Sequence, residues 1–173
     1  MKIIGFTYVE NRTEIVLKGD SCLLVNRKPI FSPDWTADLR VTPCVVLRVS
    51  RLGKSIEPRF ADRYYDAVAP GADFVAWDKL NEAIANGSSW TPATGFDYSL
   101  AVGEWVTGDG LQVTGDGLVV SIEEAIAEAS RLMTIRQGDL IYIHQRVLPR
   151  PVKRDEVIEG PDWAKEKLYC KVK

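Results

Sequence analysis

The sequence predicts an α+β fold that is mainly β, and three observations carry this. Short β patterns fill both ends of the chain, helical periodicity is confined to a few stretches between β segments, and 173 residues suffice for one sizeable core. Few helices, inserted among strands, argue for a mixed, mostly antiparallel sheet and against a doubly wound one. Residues 1–173 are therefore expected to form a single domain.

Strand patterns run over Lys2 to Phe6, Glu14 to Leu17 and Ser21 to Val25, the last two split by Gly19-Asp20. Turns fall at Asn26-Arg27-Lys28-Pro29 and Pro33-Asp34. The nearly continuous apolar run Val45 to Val49 reads as a central, buried strand. Arg59 to Val68 places Phe60, Tyr64 and Ala67 at helical spacing, with Pro58 where a helix can begin. Pro70-Gly71 then reads as a break before a strand over Ala72 to Ala76. A helix is expected from Asp78 to Ala85, with Asp78 as its N-cap and Gly87 as its stop. Asn86 to Thr94, rich in Gly, Ser, Thr and Pro, reads as a loop.

The repeat VTGDGLQ-VTGDGLV between Val106 and Val119 is too short for a solenoid unit. Asp-Gly predicts two tight β turns, and a calcium loop would need more oxygen ligands and a closing Glu. Ser121 with Glu124 three residues on forms a capping box for a helix whose apolar stripe is Ile122, Ala125, Ile126, Ala129 and Leu132. Leu140 to Ile143 is a strong strand, and Leu168 to Val172 a last one.

Composition narrows the function classes. Hydrophobic residues make up 46% and charged residues 27%, with a formal net charge of −2 and no dominant basic patch, so a nucleic-acid partner is not expected. No apolar run approaches the roughly 18 residues of a membrane span, and the N-terminus does not read as a signal peptide. The expected location is cytoplasmic, without a membrane partner. Cys22, Cys44 and Cys170 are odd in number and lack a CxxC pair, which points to buried apolar side chains.

The order of several segments resembles that of the fumarylacetoacetate hydrolase family, in the manner of its short bacterial members. Lys18-Gly19-Asp20-Ser21 with Leu23-Leu24 is similar to the KPDSALL segment. Arg48 to Lys54 resembles the exit of the following strand, and Arg59 to Asp66 the helix after it. Gly71-Ala72-Asp73-Phe74-Val75-Ala76-Trp77-Asp78 resembles GxDxxARD, Gly95-Phe96-Asp97 the KxFDG loop, and Met133 to Ile141 the approach to a GTP-type loop. The resemblance covers nearly the whole chain. It implies a mixed β-sheet roll with a few peripheral helices. It also implies a divalent Mg or Mn ion holding a β-diketo or oxo acid for C–C bond hydrolysis, decarboxylation or isomerisation, and a homodimer.

The site residues implied by the resemblance are altered. The two Glu positions of its HxExE strand fall on Thr42 and Cys44, the His position on Arg40, and only Asp73 keeps a carboxylate. Magnesium prefers hard carboxylate oxygens, so one of three makes a poor site. The Arg of ARD is Trp77 while Asp78 remains. The Lys of KxFDG is Thr94, followed by Asp97, and the GTP-type loop falls on His144-Gln145-Arg146. Tyr8-Val9-Glu10-Asn11 resembles a YAEH segment with Asn11 replacing its His.

The expected lining of the old pocket is Lys18, Trp77, Asp78, Thr94, Asp97 and His144, and no residue receives a catalytic role. Asp73 and Asp78 read either as remnants of a metal site or as structural carboxylates. Cys44, Asp73 and His144 are legitimate zinc ligands and form an alternative, softer site. The leading expectation is a non-catalytic binding or dimerisation module, pairing with itself or with an active paralogue. The alternative is an active enzyme with an altered metal site, binding a small oxo acid.

Overall fold

A computed structural model describes residues 1–25, 27–108 and 117–173. In chain order its strands and helices are β1 (Ile3–Val9), β2 (Arg12–Lys18), β3 (Leu23–Val25), β4 (Leu39–Val49), β5 (Tyr65–Ala76), α1 (Trp77–Asn86), α2 (Thr91–Thr94), β6 (Leu100–Val102), β7 (Val106–Thr107), α3 (Ile122–Leu132), β8 (Leu140–His144), β9 (Arg150–Pro151), β10 (Val157–Glu159) and β11 (Tyr169–Lys171). Short 3₁₀ turns cover Asp20–Cys22, Pro58–Arg63 and Asp162–Lys167.

Among the described residues, one large sheet runs in the order β2-β1-β8-β4-β5-β6-β3, with β7 beside β5 and β9 beside β4. Most ladders are antiparallel; β1 with β8 and β3 with β6 are parallel. The mixed, mainly antiparallel sheet expected from the sequence is present. β10 and β11 form a separate antiparallel pair. The β1–β2 hairpin turns on Glu10 and Asn11, both at positive φ (50° and 61°), the backbone signature of a type I′ turn.

Strand alternation sorts the side chains onto two faces. On the outer face, Ile4, Phe6, Val45, Leu47, Ile141 and Ile143 pack against Ile122, Ala125, Ile126 and Ala129 of α3. The predicted stripe of α3 is buried except for Leu132, which is 45% exposed at the helix end. Burying one such aliphatic side chain is worth about 1.5–3 kcal/mol, so this contact is a main support of the fold. The capping box is complete: Glu124 N donates to Ser121 Oγ at 3.2 Å, and Ser121 N donates to Glu124 Oε2 at 3.3 Å.

Three sequence expectations are corrected. The helix over Arg59 to Val68 is only the 3₁₀ turn Pro58–Arg63, and from Tyr65 the chain is already in β5. Pairing with β4 from Leu39↔Ala76 to Val49↔Tyr65 supplies a full ladder that outweighs the helical spacing, and Pro70-Gly71 lies inside that strand. The presumed loop over Asn86 to Thr94 contains α2. Asp78 is not the N-cap of α1: Ala76 is, and Asp78 sits in the first turn, where a carboxylate suits the helix dipole. Gly87 ends α1 in the left-handed region as expected. The Asp-Gly repeat falls largely on 109–116, outside the described residues. Among the described residues no helix is long and apolar enough to cross a membrane.

Candidate functional site

The site grows out of strand register. Residues directly opposed in a ladder share a face. Thr42 opposes Asp73, Cys44 opposes both Gly71 and His144, and Val46 opposes Tyr142. Thr42, Cys44, Asp73, Tyr142 and His144 are therefore gathered on the inner face, each buried. Tyr142 finds room because its partner on β1 is Gly5. A β-carbon built on Gly5 would stand 2.1 Å from Tyr142 Cζ.

Lys18 completes the group from the far side. It lies on β2, four ladders from β5 in the strand order. On a flat sheet four ladders span about 19 Å, beyond the reach of a lysine side chain. Yet Lys18 Nζ is 2.7 Å from Asp73 Oδ1, so the sheet curls until β2 faces β5 across the interior. Lys18 is fully buried; its ammonium also donates to Ser99 Oγ at 2.8 Å, and Ser99 Oγ donates to the Thr94 carbonyl at 3.0 Å. The Lys18–Asp73 contact is an ion pair whose angle lies outside hydrogen-bond geometry, which leaves Asp73 Oδ1 without a formal hydrogen bond.

The other carboxylate oxygen belongs to His144. Tyr8 N donates to His144 Nδ1 at 3.1 Å, so that nitrogen carries no proton. The proton is thereby assigned to Nε2, which donates to Asp73 Oδ2 at 2.8 Å. Burial pushes the Asp73 carboxyl up, but Lys18 and then His144 outweigh it and hold the group below its ordinary value. Burial, and after it the Asp73 charge, push the Cys44 thiol and the Tyr142 phenol well above theirs. The cluster thus contains one carboxylate, one ammonium and neutral neighbours. Among the described residues, Thr42 Oγ1 and the Tyr142 hydroxyl have no hydrogen-bond partner.

The remaining expected residues lie around this group. Thr94 is buried and donates its hydroxyl to the Trp90 carbonyl. Trp77 stands beneath the Arg40 guanidinium, 4.8 Å from its ring centre, and packs with Trp90 and Ile84 against Val9, Val75, Leu80 and Ala93. Asp78 accepts from the Thr36 hydroxyl and from Ala37 N. Asp97 is exposed. Tyr142 and Ser99 were not singled out from sequence. Tyr142 could have been, because it precedes His144 by two in a strand and must share its face. A groove of about 680 Å³ lies elsewhere, between β1–β2 and α3, and is lined by residues such as Phe6, Ile15, Ile56 and Val119.

A resident divalent ion does not fit these side chains. Both oxygens of Asp73 are engaged, Cys44 is held as a thiol, Thr42 is neutral, and an ammonium already neutralises the Asp73 carboxylate. Hard cations prefer several anionic oxygens. For the softer alternative, the structure brings Asp73 and His144 together through a bond to each other. Among the described residues no three His, Cys, Asp or Glu side chains are grouped to hold a metal.

No family model matches the chain, and no curated protein matches it. Solved structures do. A fumarylpyruvate hydrolase from Pseudomonas aeruginosa, in complex with Mn2+ and pyruvate, superposes with a TM-score of 0.80 at 17% identity, covering 99% of this chain and 88% of that one. A 2-hydroxyhepta-2,4-diene-1,7-dioate isomerase from Mycobacterium marinum superposes with a TM-score of 0.81 at 19% identity, covering 99% and 73%. A candidate fumarylacetoacetate hydrolase family protein from Yersinia pestis CO92 reaches 0.86 at 14% identity, covering 99% and 91%. At these identities the likeness concerns the fold.

Proposed function

From the fumarylacetoacetate hydrolase-like fold of this chain as premise, we propose that it is a non-catalytic relative, in which the retained roll serves as a binding or dimerisation module. The observation that carries this is the Lys18 ammonium 2.7 Å from Asp73, the one carboxylate among the three positions that the resemblance assigns to metal ligands. The other two, Thr42 and Cys44, are buried and uncharged in this environment. A metal-dependent hydrolase, decarboxylase or isomerase needs a cation to polarise the oxygens of its oxo-acid substrate. Asp73 is turned instead toward partners within the chain.

The alternative is an active enzyme on a small β-diketo or oxo acid, and the His144–Asp73 pair is what favours it, since a carboxylate that orients an imidazole is a familiar base arrangement. Here the imidazole has no free nitrogen: Nδ1 accepts from Tyr8 N and Nε2 donates to Asp73. Self-association as a homodimer, or pairing with an active paralogue, remains the use to which the fold is best suited. Ile15 and Leu17 on the edge strand β2 are 37% and 52% exposed, which agrees with a partner surface.

Elemental analysis of the purified chain, joined to turnover assays with an acylpyruvate and with oxaloacetate, tests the reading. The expected result is no stoichiometric Mg, Mn or Zn and no turnover. Stoichiometric metal that is lost on Asp73→Ala, or turnover of either substrate, overturns it. Light scattering reads the oligomeric state, with a mass of twice the 19.3 kDa chain expected for a homodimer.

A further inference from the structure

We infer that Lys18 and His144 together act as a built-in cation substitute for Asp73, pinning β2 to β5 across the inside of the roll without any bound ion. A carboxylate this deeply buried requires positive compensation, because the desolvation of an unpaired charge is costly. Lys18 supplies a full charge at 2.7 Å and is itself fully buried, so each of the two needs the other. His144 of β8 supplies a donor to the second oxygen and is fixed by the Tyr8 amide of β1, which ties a third and a fourth strand to the same carboxylate. Ser99 Oγ accepts a further hydrogen bond from the ammonium on the β6 side of the roll.

The geometry reaches farther than a local ion pair. Among the described residues β2 and β5 share no ladder; five residues beyond Lys18 the chain enters β3, which the β3–β6 and β6–β5 ladders tie to β5. The Lys18–Asp73 contact spans the interior between them. The resemblance assigns Asp73 to a metal ligand, and here the ammonium meets its charge instead. The Thr42 and Cys44 side chains beside it add no carboxylate, so an entering ion would meet the ammonium without compensating anions. This inference rests on the altered ligand set of the reading above, yet it concerns stability and ion binding, not turnover.

The test is thermal unfolding of the whole chain with EDTA, Mg2+, Mn2+ or Zn2+. The expected result is one Tm in all four. An ion bound at Asp73 at a hundred times its Kd would raise Tm by roughly 5–10 °C, and such a rise, abolished by Asp73→Asn, overturns the inference. Lys18→Met should lower Tm by about 10 °C, because it strands the buried carboxylate. The double variant Lys18→Met/Asp73→Asn should recover much of that loss. If Lys18→Met fails to fold, recovery of a folded double variant supports the inference. A double variant no more stable than the single one, or a Lys18→Met chain as stable as the native, overturns it. Turnover by a protein that shows no ion-dependent Tm would defeat the non-catalytic reading and leave this inference standing. A Lys18→Met chain as stable as the native, with neither bound metal nor turnover, would do the reverse.

Discussion

Tyr142 stands where the β-carbon of Gly5 would be: a methyl group placed there would lie 2.1 Å from Tyr142 Cζ and 2.3 Å from its hydroxyl oxygen. The two residues oppose each other in the parallel β1–β8 ladder, both inside the roll. Gly5→Ala should therefore cost about 1–3 kcal/mol, the usual penalty of overpacking a tight core. Urea unfolding measures this, and Gly5→Ala/Tyr142→Leu should be more stable than Gly5→Ala alone. If Gly5→Ala unfolds at the native urea concentration, the phenol is not packed on the glycine.

Asp139 joins the start of β1 to the start of β8. It accepts from Lys2 N at 2.9 Å, Lys2 Nζ at 2.6 Å and Arg136 N at 2.9 Å. Its burial opposes ionisation, but the Lys2 ammonium and the two backbone donors prevail and hold its carboxyl below the ordinary value. A depressed folded-state pKa contributes stability that is present above the unfolded carboxylate pKa and lost as pH falls through the folded value. Asp139→Asn should therefore cost about 2 kcal/mol near neutrality and much less in strong acid. Denaturation of both proteins across the acid range checks this; a difference that is constant with pH would contradict it.

Ser130 is wholly buried in α3 and joins that helix to the segment before the 3₁₀ turn. Its hydroxyl accepts from Ile56 N at 2.9 Å and donates to the Ala127 carbonyl at 2.9 Å. Ser130→Ala leaves the Ile56 amide without its acceptor, at an expected cost of about 1–3 kcal/mol. Hydrogen exchange should show faster exchange at Ile56 in the variant, while Ser55 N, bound to the Ser130 carbonyl, changes less.

All three cysteines are buried and free. Burial pushes the Cys170 thiol up to about 11 and the Cys44 thiol well above its ordinary value. The thiolate is the reactive form, so at pH 8 the native chain should show no rapidly reacting thiol toward a chromogenic disulfide reagent. Three should react once it is unfolded. A single fast thiol in the native protein would place one cysteine in an accessible, anion-stabilising setting.

What the sequence disclosed follows from the range of the forces involved. The capping box at Ser121, the stop at Gly87 and the strand at Leu140 to Ile143 are local signals, and each appears where it was read. The Tyr65 to Val68 stretch reads as helix because Phe60, Tyr64 and Ala67 satisfy helical spacing, whereas its partner in β4 lies some 20 residues earlier and is invisible to a local pattern. Thr42, Cys44, Asp73 and His144 were placed in one site by resemblance, and ladder register now places them on one face. The ion pair between Lys18 and Asp73 was not legible. It depends on curvature accumulated over four ladders, which no strand encodes by itself.

The parallel pairing of β1 with β8 carries a consequence for how the molecule is made. Ile3 meets Leu140, and Phe6 meets Ile143, across 137 residues of intervening chain. On a ribosome, the β1–β2 hairpin emerges before β8 and must wait, with one long edge uncovered, until β8 is synthesised. Closing so long a loop before its contacts can reward it makes folding slow, and an unpaired apolar edge invites association in the meantime. Chaperone demand during synthesis should thus fall on the β1–β2 hairpin.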